Sequence, residues 1–381
     1  MCSQVWRCEL SVEIDSKKLI GNLVNSVKDT LKLGSRSIVG VDVGLSAVKV
    51  AEIEGNKETR EYKLVSYASV PLPEGAIIED EIQDEEVIVE AIKQAFLRAK
   101  VSSDNVCLGV SGPNTVARRL QLAGGTDEEI EDQVIWEAEQ YLPFEIEESA
   151  VSFYTMGENE GGGVDVLVAA AKNTVIQQYK AIFEKAELRL KILDLGIISL
   201  VNVFELVMGT KLDEPNQSFL LIDLGAQKTE FIIYKNNMIV FSKEIPVGGV
   251  MITEEIQRQM GVNYYEAEDL KITGDENGNL PEEILEIIDD VIEAFFSEIK
   301  KTIDFYVSST SDESMVGCYV TGGSALIPGI IEGLEALLGV DVGVLNPFEA
   351  IGYSEKKFDE EKVNEIAYRG VSVLGLAMRE L

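Results

Sequence analysis

The sequence predicts an α/β protein of two lobes related by internal duplication. Three observations carry this. The segment VGVDVGLSAVKVAEI, residues 39–53, is echoed by LLIDLGAQKTEFIIY, residues 220–234. Each half reads as strands first and helices afterwards. The 381 residues are enough for two or three domains with a substantial core.

Composition narrows the chemistry. Lys and Arg number 33 against 67 Asp and Glu, a net charge of −34. Such a surface repels nucleic acid and anionic lipid, and no Lys/Arg block offsets it. The chain has no histidine, which removes every Ser-His or Cys-His nucleophile pair and every His-ligated zinc site. Catalysis would have to use carboxylates, a metal or the ligand itself. The four cysteines form no CxxC, so zinc is not expected. Cys107 and Cys318 fall in apolar strand-like runs, and Cys2 and Cys8 in an N-terminal tail. No apolar run of about 18 residues and no basic start followed by an apolar block occurs, so the expected compartment is the cytoplasm.

The elements follow in order. Residues 1–35 form an extension in which Leu19, Ile20, Leu23, Val24, Val27 and Leu31 make one helical stripe. With only Lys28 and Lys32 beside it, docking or partner binding is favoured over a lipid surface. Strands are read at Ile38–Val43, Val48–Ile53 and Tyr62–Pro71, then a helix over 84–100 and a strand at Val106–Val110. A helix starting at Thr126 has Glu129 at the capping-box spacing and stops before Pro143. Strands at Ala150–Thr155 and Val164–Ala171 precede helices near 173–187 and 196–208. The second half opens with strands at Ser218–Asp223, Thr229–Tyr234 and Met238–Ile245, the last two joined by the hairpin signal Lys235-Asn236-Asn237. Helices follow from about 250 and from Pro281, then a strand at Gly317–Val320, a helix over 324–338 and a final helix over about 362–380.

The repeat is where the chemistry is expected. Asp42 and Gly44 map onto Asp223 and Gly225 with one offset, 181 residues. Each copy is a hairpin with an acid and a glycine at its tip. A glycine bend exposes backbone N–H groups that can cradle phosphate oxygens. Ser46 and Thr229 would add hydroxyl donors, and Lys49 would reach a phosphate. A triphosphate brings Mg²⁺, which prefers carboxylates and waters, so Asp42 and Asp223 are the expected metal residues, acting through water. Asp and Gly are also ordinary turn residues, but two copies in matched strands favour the phosphate reading. A later strand–Gly322-Gly323–helix junction can place backbone against a ribose or phosphate. Glu268 and Lys271, three apart on a short helix, either bond ribose hydroxyls or form a surface ion pair.

Taken together, the paired DxG hairpins, the strand-GG-helix and the two-lobed plan resemble the actin/Hsp70/sugar-kinase ATPase superfamily. Ile245-Pro246-Val247-Gly248-Gly249, Tyr141-Leu142-Pro143-Phe144, Thr321 to Gly329 and Leu345-Asn346-Pro347-Phe348 resemble its FtsA and PilM branch. The resemblance implies lobe 1 at 36–213 with an FtsA-type inserted subdomain at about 80–157. It implies lobe 2 at 214–381, with a helical insertion at about 250–310 and a C-terminal helix returning to lobe 1. It implies ATP and Mg²⁺ between the lobes, with Asp42, Gly44, Ser46, Lys49, Gly225, Gln227, Thr229, Glu268, Lys271, Gly322 and Gly323 lining the site. It also implies binding of the cytoplasmic N-terminal peptide of the membrane protein PilN, beside other pilus assembly platform proteins at the inner membrane. Relatives often carry an acid at the start of the connecting helix, where this chain has Leu195-Gly196-Ile197. Gln227 and Lys228 also replace a Gly/Thr-rich tip. Asp223 is then the remaining catalytic candidate, and the expectation is a slow ATPase or an ATP-gated binder. A sugar or acetate kinase using a base such as Asp194, and an FtsA-like division protein, are the alternatives.

Overall fold

The computed structural model describes residues 38–56, 59–159, 161–273, 280–310, 312 and 314–379. The amphipathic stretch at 19–33, Cys2 and Cys8 lie outside the described residues. The chain opens with β1 (Val39–Val43), β2 (Ala47–Asn56) and β3 (Glu61–Pro71), an antiparallel meander. The short hairpin of β4 (Ile77–Ile78) and β5 (Glu81–Ile82) leads to α1 (Glu85–Ala99). The Asp84 carboxylate caps α1 by accepting from the N–H groups of Glu86 and Val87. β6 (Asn105–Val110) then pairs parallel with β1.

β7 (Thr115–Leu122), α2 (Asp127–Tyr141), β8 (Ser149–Glu158) and β9 (Val164–Lys172) form a separate unit with strand order β7-β9-β8. Thr126 and Glu129 make the expected reciprocal capping box on α2. α3 (Asn173–Lys185) leads to β10 (Arg189–Leu195), which returns to pair parallel with β6. α4 (Gly196–Met208) then crosses to the second half.

That half repeats the first. β11 (Ser218–Leu224), β12 (Thr229–Lys235) and β13 (Met238–Ile245) form the meander. α5 (Val250–Met260), α6 (Tyr264–Thr273) and α7 (Glu282–Thr310) follow. β14 (Met315–Thr321) pairs parallel with β11, and after α8 (Ile330–Leu338), β15 (Val342–Val344) pairs parallel with β14. The sheets thus run β10-β6-β1-β2-β3 and β15-β14-β11-β12-β13, the same order twice. β16 (Ile351–Gly352) rejoins the first sheet beside β3, and α9 (Glu360–Arg369) and α10 (Val371–Ala377) close the chain.

Each sheet has its own apolar core. A third cluster joins them: Phe204 of α4 meets Phe219, Tyr234 and Tyr319 of the second half in tilted and edge-on contacts, and Leu374 and Ala377 of α10 belong to the same cluster. Burying each such ring contributes on the order of 2 kcal/mol. This shared core packs the two halves together through α4, α9 and α10. Cys107 and Cys318 are buried, as expected. Among the described residues no helix is long and apolar enough to cross a membrane.

Several expectations need correcting. The separate three-stranded sheet draws on strands between Thr115 and Lys172, whereas β6 pairs within the first sheet and α1 packs on it. The sequence pattern does not mark β7 or β10 as strands. In β7 the pair Arg118-Arg119 hides the alternation: Arg119 forks onto Asp165 of β9 at 3.1 and 2.8 Å, and Arg118 lies over the Tyr141 ring. The helix expected over 324–338 is a short 3-10 turn, Gly323–Leu326, then α8. Pro328 disfavours helix at Ile327, and Gly329 takes a φ of +84°. The final helix is likewise two, broken at Gly370.

Candidate functional site

Both repeated hairpins close the same way. The Gly44 N–H donates to the Ala47 carbonyl at 3.1 Å, and the Gly225 N–H to the Lys228 carbonyl at 3.0 Å. The two glycine N–H groups are therefore consumed by the turns. The N–H groups of Leu45, Ser46, Ala226 and Gln227 make no hydrogen bond among the described residues. Each tip thus offers two successive donors, the arrangement that binds anions. At Gly225 a Cβ would stand 2.6 Å from the Lys228 carbonyl oxygen, so the tight bend admits no side chain. At Gly44 the corresponding gap is 3.4 Å, ordinary packing distance.

Strand register sets what stands behind each tip. Asp42 pairs with Lys49 across the first hairpin, and Asp223 with Glu230 across the second. The Lys49 ammonium bonds the Asp42 carboxylate at 2.8 Å. Burial pulls that ammonium down, but Asp42, Tyr67 and Asp223 together hold it above its ordinary value. Burial pushes Asp223 up to about 6; Asp42 adds to the rise, while Lys49 and a 3.3 Å hydrogen bond from the Ser372 hydroxyl oppose it. Burial, then the Asp223 charge, pushes Glu230 up to about 8. Asp42, Lys49, Asp223 and Glu230 therefore share one electrostatic neighbourhood between the halves. Glu230 escaped the sequence reading. Its signal was available: the duplication offset of 181 carries Lys49 onto Glu230. Its Oε1 faces the start of α4, 3.4 Å from where a Cβ at Gly196 would lie.

The glycine pair meets the same place. Gly322 has a φ of +92°, and a Cβ there would lie 2.5 Å from Asp223 Oδ1. The Ser324 hydroxyl donates to the Gly225 carbonyl at 2.8 Å, pinning the pair to the second hairpin. The turn Pro246 to Gly249 packs on that hairpin too, with the Val250 N–H donating to the Ala226 carbonyl at 2.7 Å. Lys271 is half-enclosed and bonds Glu268 at 2.6 Å, the Thr253 hydroxyl at 2.8 Å and the Gly249 carbonyl at 3.2 Å. Burial holds its ammonium below the ordinary range against the pull of Glu268. The Glu268–Lys271 pair is thus tied to the glycine turns, not a loose surface pair.

Several side chains near the hairpins are engaged within the protein. The Thr229 hydroxyl is buried and donates to the Val247 carbonyl at 2.8 Å, so it pegs the 246–249 turn and offers nothing to a ligand. Lys228 points away from the tip and bridges Asp80 of the first half at 2.6 Å and Glu244 at 2.8 Å. Asp194, the candidate kinase base, is buried in an ion pair with Arg379 at 3.0 Å. Among the described residues no group of three or more Cys, Asp or Glu side chains is spaced to hold a metal alone. Asp42 and Asp223 could hold a hard cation only with waters or ligand oxygens completing its shell. The unbonded N–H pairs, the side-chain-free glycine bends and the two acids fit a magnesium-bound polyphosphate.

The comparisons with known proteins agree with this fold. A solved structure described as a PilM-PilN type IV pilus biogenesis complex is 27% identical, with a TM-score of 0.79 over 90% of this chain and 98% of that one. Cell division protein FtsA of Enterococcus hirae is 23% identical over 88% of this chain and 87% of its own length. FtsA of Bacillus subtilis is 27% identical over 35% of each chain. The fold is that of the actin-like ATPases. Residues 40–381 match the family described as Type IV pilus assembly protein PilM, and the chain belongs to that family.

Proposed function

We propose that the cleft binds Mg-ATP and that the chain is a nucleotide-sensitive adaptor of the type IV pilus assembly platform. On this reading it grips the cytoplasmic N-terminal peptide of a PilN-type membrane protein and sits at the inner membrane through its partners. The observation that carries it is the convergence of Asp42 and Asp223, one from each repeat, on a shared cleft with Lys49 between the halves. Membership of the PilM family and likeness to the PilM-PilN complex support the partner.

In this reading Leu45, Ser46, Ala226 and Gln227 give backbone donors to phosphate oxygens. Lys49 neutralises charge, and Asp42 and Asp223 orient the waters of the metal. Gly322 and Gly323 let the nucleotide lie against backbone, and Glu268 with Lys271 shapes its far end. The ion, when bound, draws charge from the phosphate chain. The acidic side chain that relatives place at the head of the connecting helix is absent at Gly196, which points to slow turnover and to ATP as a conformational ligand. Such a ligand acts only through different affinity for open and closed lobes. Asp80–Lys228 joins the halves beside the tip and would open with them. The kinase reading loses its base, because Asp194 is occupied by Arg379.

Fluorescence anisotropy of a labelled PilN N-terminal peptide, titrated with the full chain with and without Mg-ATP, tests this. Binding whose affinity changes with Mg-ATP is expected. No binding, or binding indifferent to the nucleotide, would contradict the proposal.

A further inference from the structure

Arg369, the last residue of α9, is a cation that the sequence reading left without a role. Its side chain lies along Gly323: a Cβ there would stand 3.5 Å from Arg369 Nε and 3.8 Å from Cγ. The backbone fixes this placement. The Tyr368 carbonyl accepts from both the Gly322 N–H and the Thr321 hydroxyl, each at 2.9 Å. Gly322 in turn abuts the Asp223 carboxylate. The guanidinium therefore stands beside Gly323, one residue along from the glycine that abuts the Asp223 carboxylate.

Among the described residues no acid pairs with it. The nearest acid on its own helix, Glu365, is engaged by Lys362 at 2.7 Å. Among the described residues Arg369 makes no ion pair or hydrogen bond. That is notable in a chain with twice as many acids as bases. Its charge also reaches Lys271, a second cation. In the same corner the buried Tyr67 hydroxyl has no hydrogen-bond partner and lies among the charges of Lys49, Glu365, Asp42 and Arg369. A basic residue in the last turn of a helix is favoured by the helix dipole. That accounts for a cation at this position. It does not account for the guanidinium lying along Gly323, or for a buried donor lacking an acceptor. Both are what a missing anion would leave behind.

We propose that Arg369 is a phosphate-contacting residue, donating to the polyphosphate where a nucleotide passes Gly322 and Gly323. The inference rests on the nucleotide reading of the cleft. Calorimetric titration of the full chain with Mg-ATP, Mg-ADP and adenosine tests it. Arg369→Gln should weaken ATP and ADP about tenfold to a hundredfold, the range for a charge-assisted hydrogen bond. Adenosine affinity should be unchanged, and Arg369→Lys should keep part of the ATP and ADP affinity. Unchanged ATP and ADP affinity in Arg369→Gln would overturn the assignment, leaving the residue a helix-end cation. An equal loss for adenosine would overturn it in favour of a base contact. Failure of the unmodified chain to bind any of the three would overturn the underlying cleft reading, and it would be seen before any variant is made.

Discussion

Replacing Glu230 by Gln should make the nucleotide-free protein more stable. The Glu230 carboxyl ordinarily ionises near 4.5, but burial and the facing Asp223 push it up to about 8. Between those values the unfolded chain has released a proton that the folded chain still holds. Stability from this group is fully present below pH 4.5, falls as pH rises and is fully lost above pH 8. Each pH unit in that window costs about 1.4 kcal/mol, which sets a ceiling near 4 kcal/mol at pH 7.5. The residue is only half-buried, and on the order of 2 kcal/mol is the working figure. The amide keeps the shape and removes the titration. At roughly 1–2 °C per kcal/mol for a chain of this size, the variant should melt roughly 2–4 °C higher at pH 7.5. It should match the parent near pH 4.5. Thermal or urea melts in magnesium-free buffer across pH 4.5–8 read this directly. No gain at pH 7.5, or an equal gain at both ends of the range, would refute the crowding of carboxyls on which the site rests. Retaining a destabilising acid is what a functional site does.

Other expectations follow from single contacts. Gly225→Ala should cost about 1–3 kcal/mol, because its Cβ would meet the Lys228 carbonyl at 2.6 Å, while Gly44→Ala, with a 3.4 Å gap, should be near neutral in denaturant melts. Arg379→Ala should cost about 3–5 kcal/mol by leaving the buried Asp194 unpaired, and a loss below ~1 kcal/mol would show that the pair is dispensable. Tyr67→Phe removes a buried hydroxyl with no protein partner, so the nucleotide-free melting point should hold or rise; a fall of several degrees would mean that the hydroxyl has a structural bond.

Much of this was legible because duplication prints the same local physics twice. The strand–DxG–strand repeat gave both meanders and their acid tips, and the structure extends the repeat to the order of both sheets. Thr126 and Glu129 announced the α2 cap because capping is local. What escaped was set by distant partners. β7 looked unlike a strand because its arginines are matched by Asp165 and Tyr141, which arrive from elsewhere in the chain. Thr229 looked like a ligand donor until the Val247 carbonyl claimed it. Glu230 and Arg369 carry no motif of their own; register places the first and helix packing the second. The break at Pro328-Gly329 was readable and shows local chemistry overriding an otherwise apolar helical run.

The central claim is that two duplicated acid tips hold one nucleotide through a shared ion. Calorimetric titration of Mg-ATP into the full chain and into Asp223→Ala tests it most directly. The account predicts saturable binding by the parent and none by the variant, with the variant's fold intact by circular dichroism. Undiminished affinity in Asp223→Ala would contradict it.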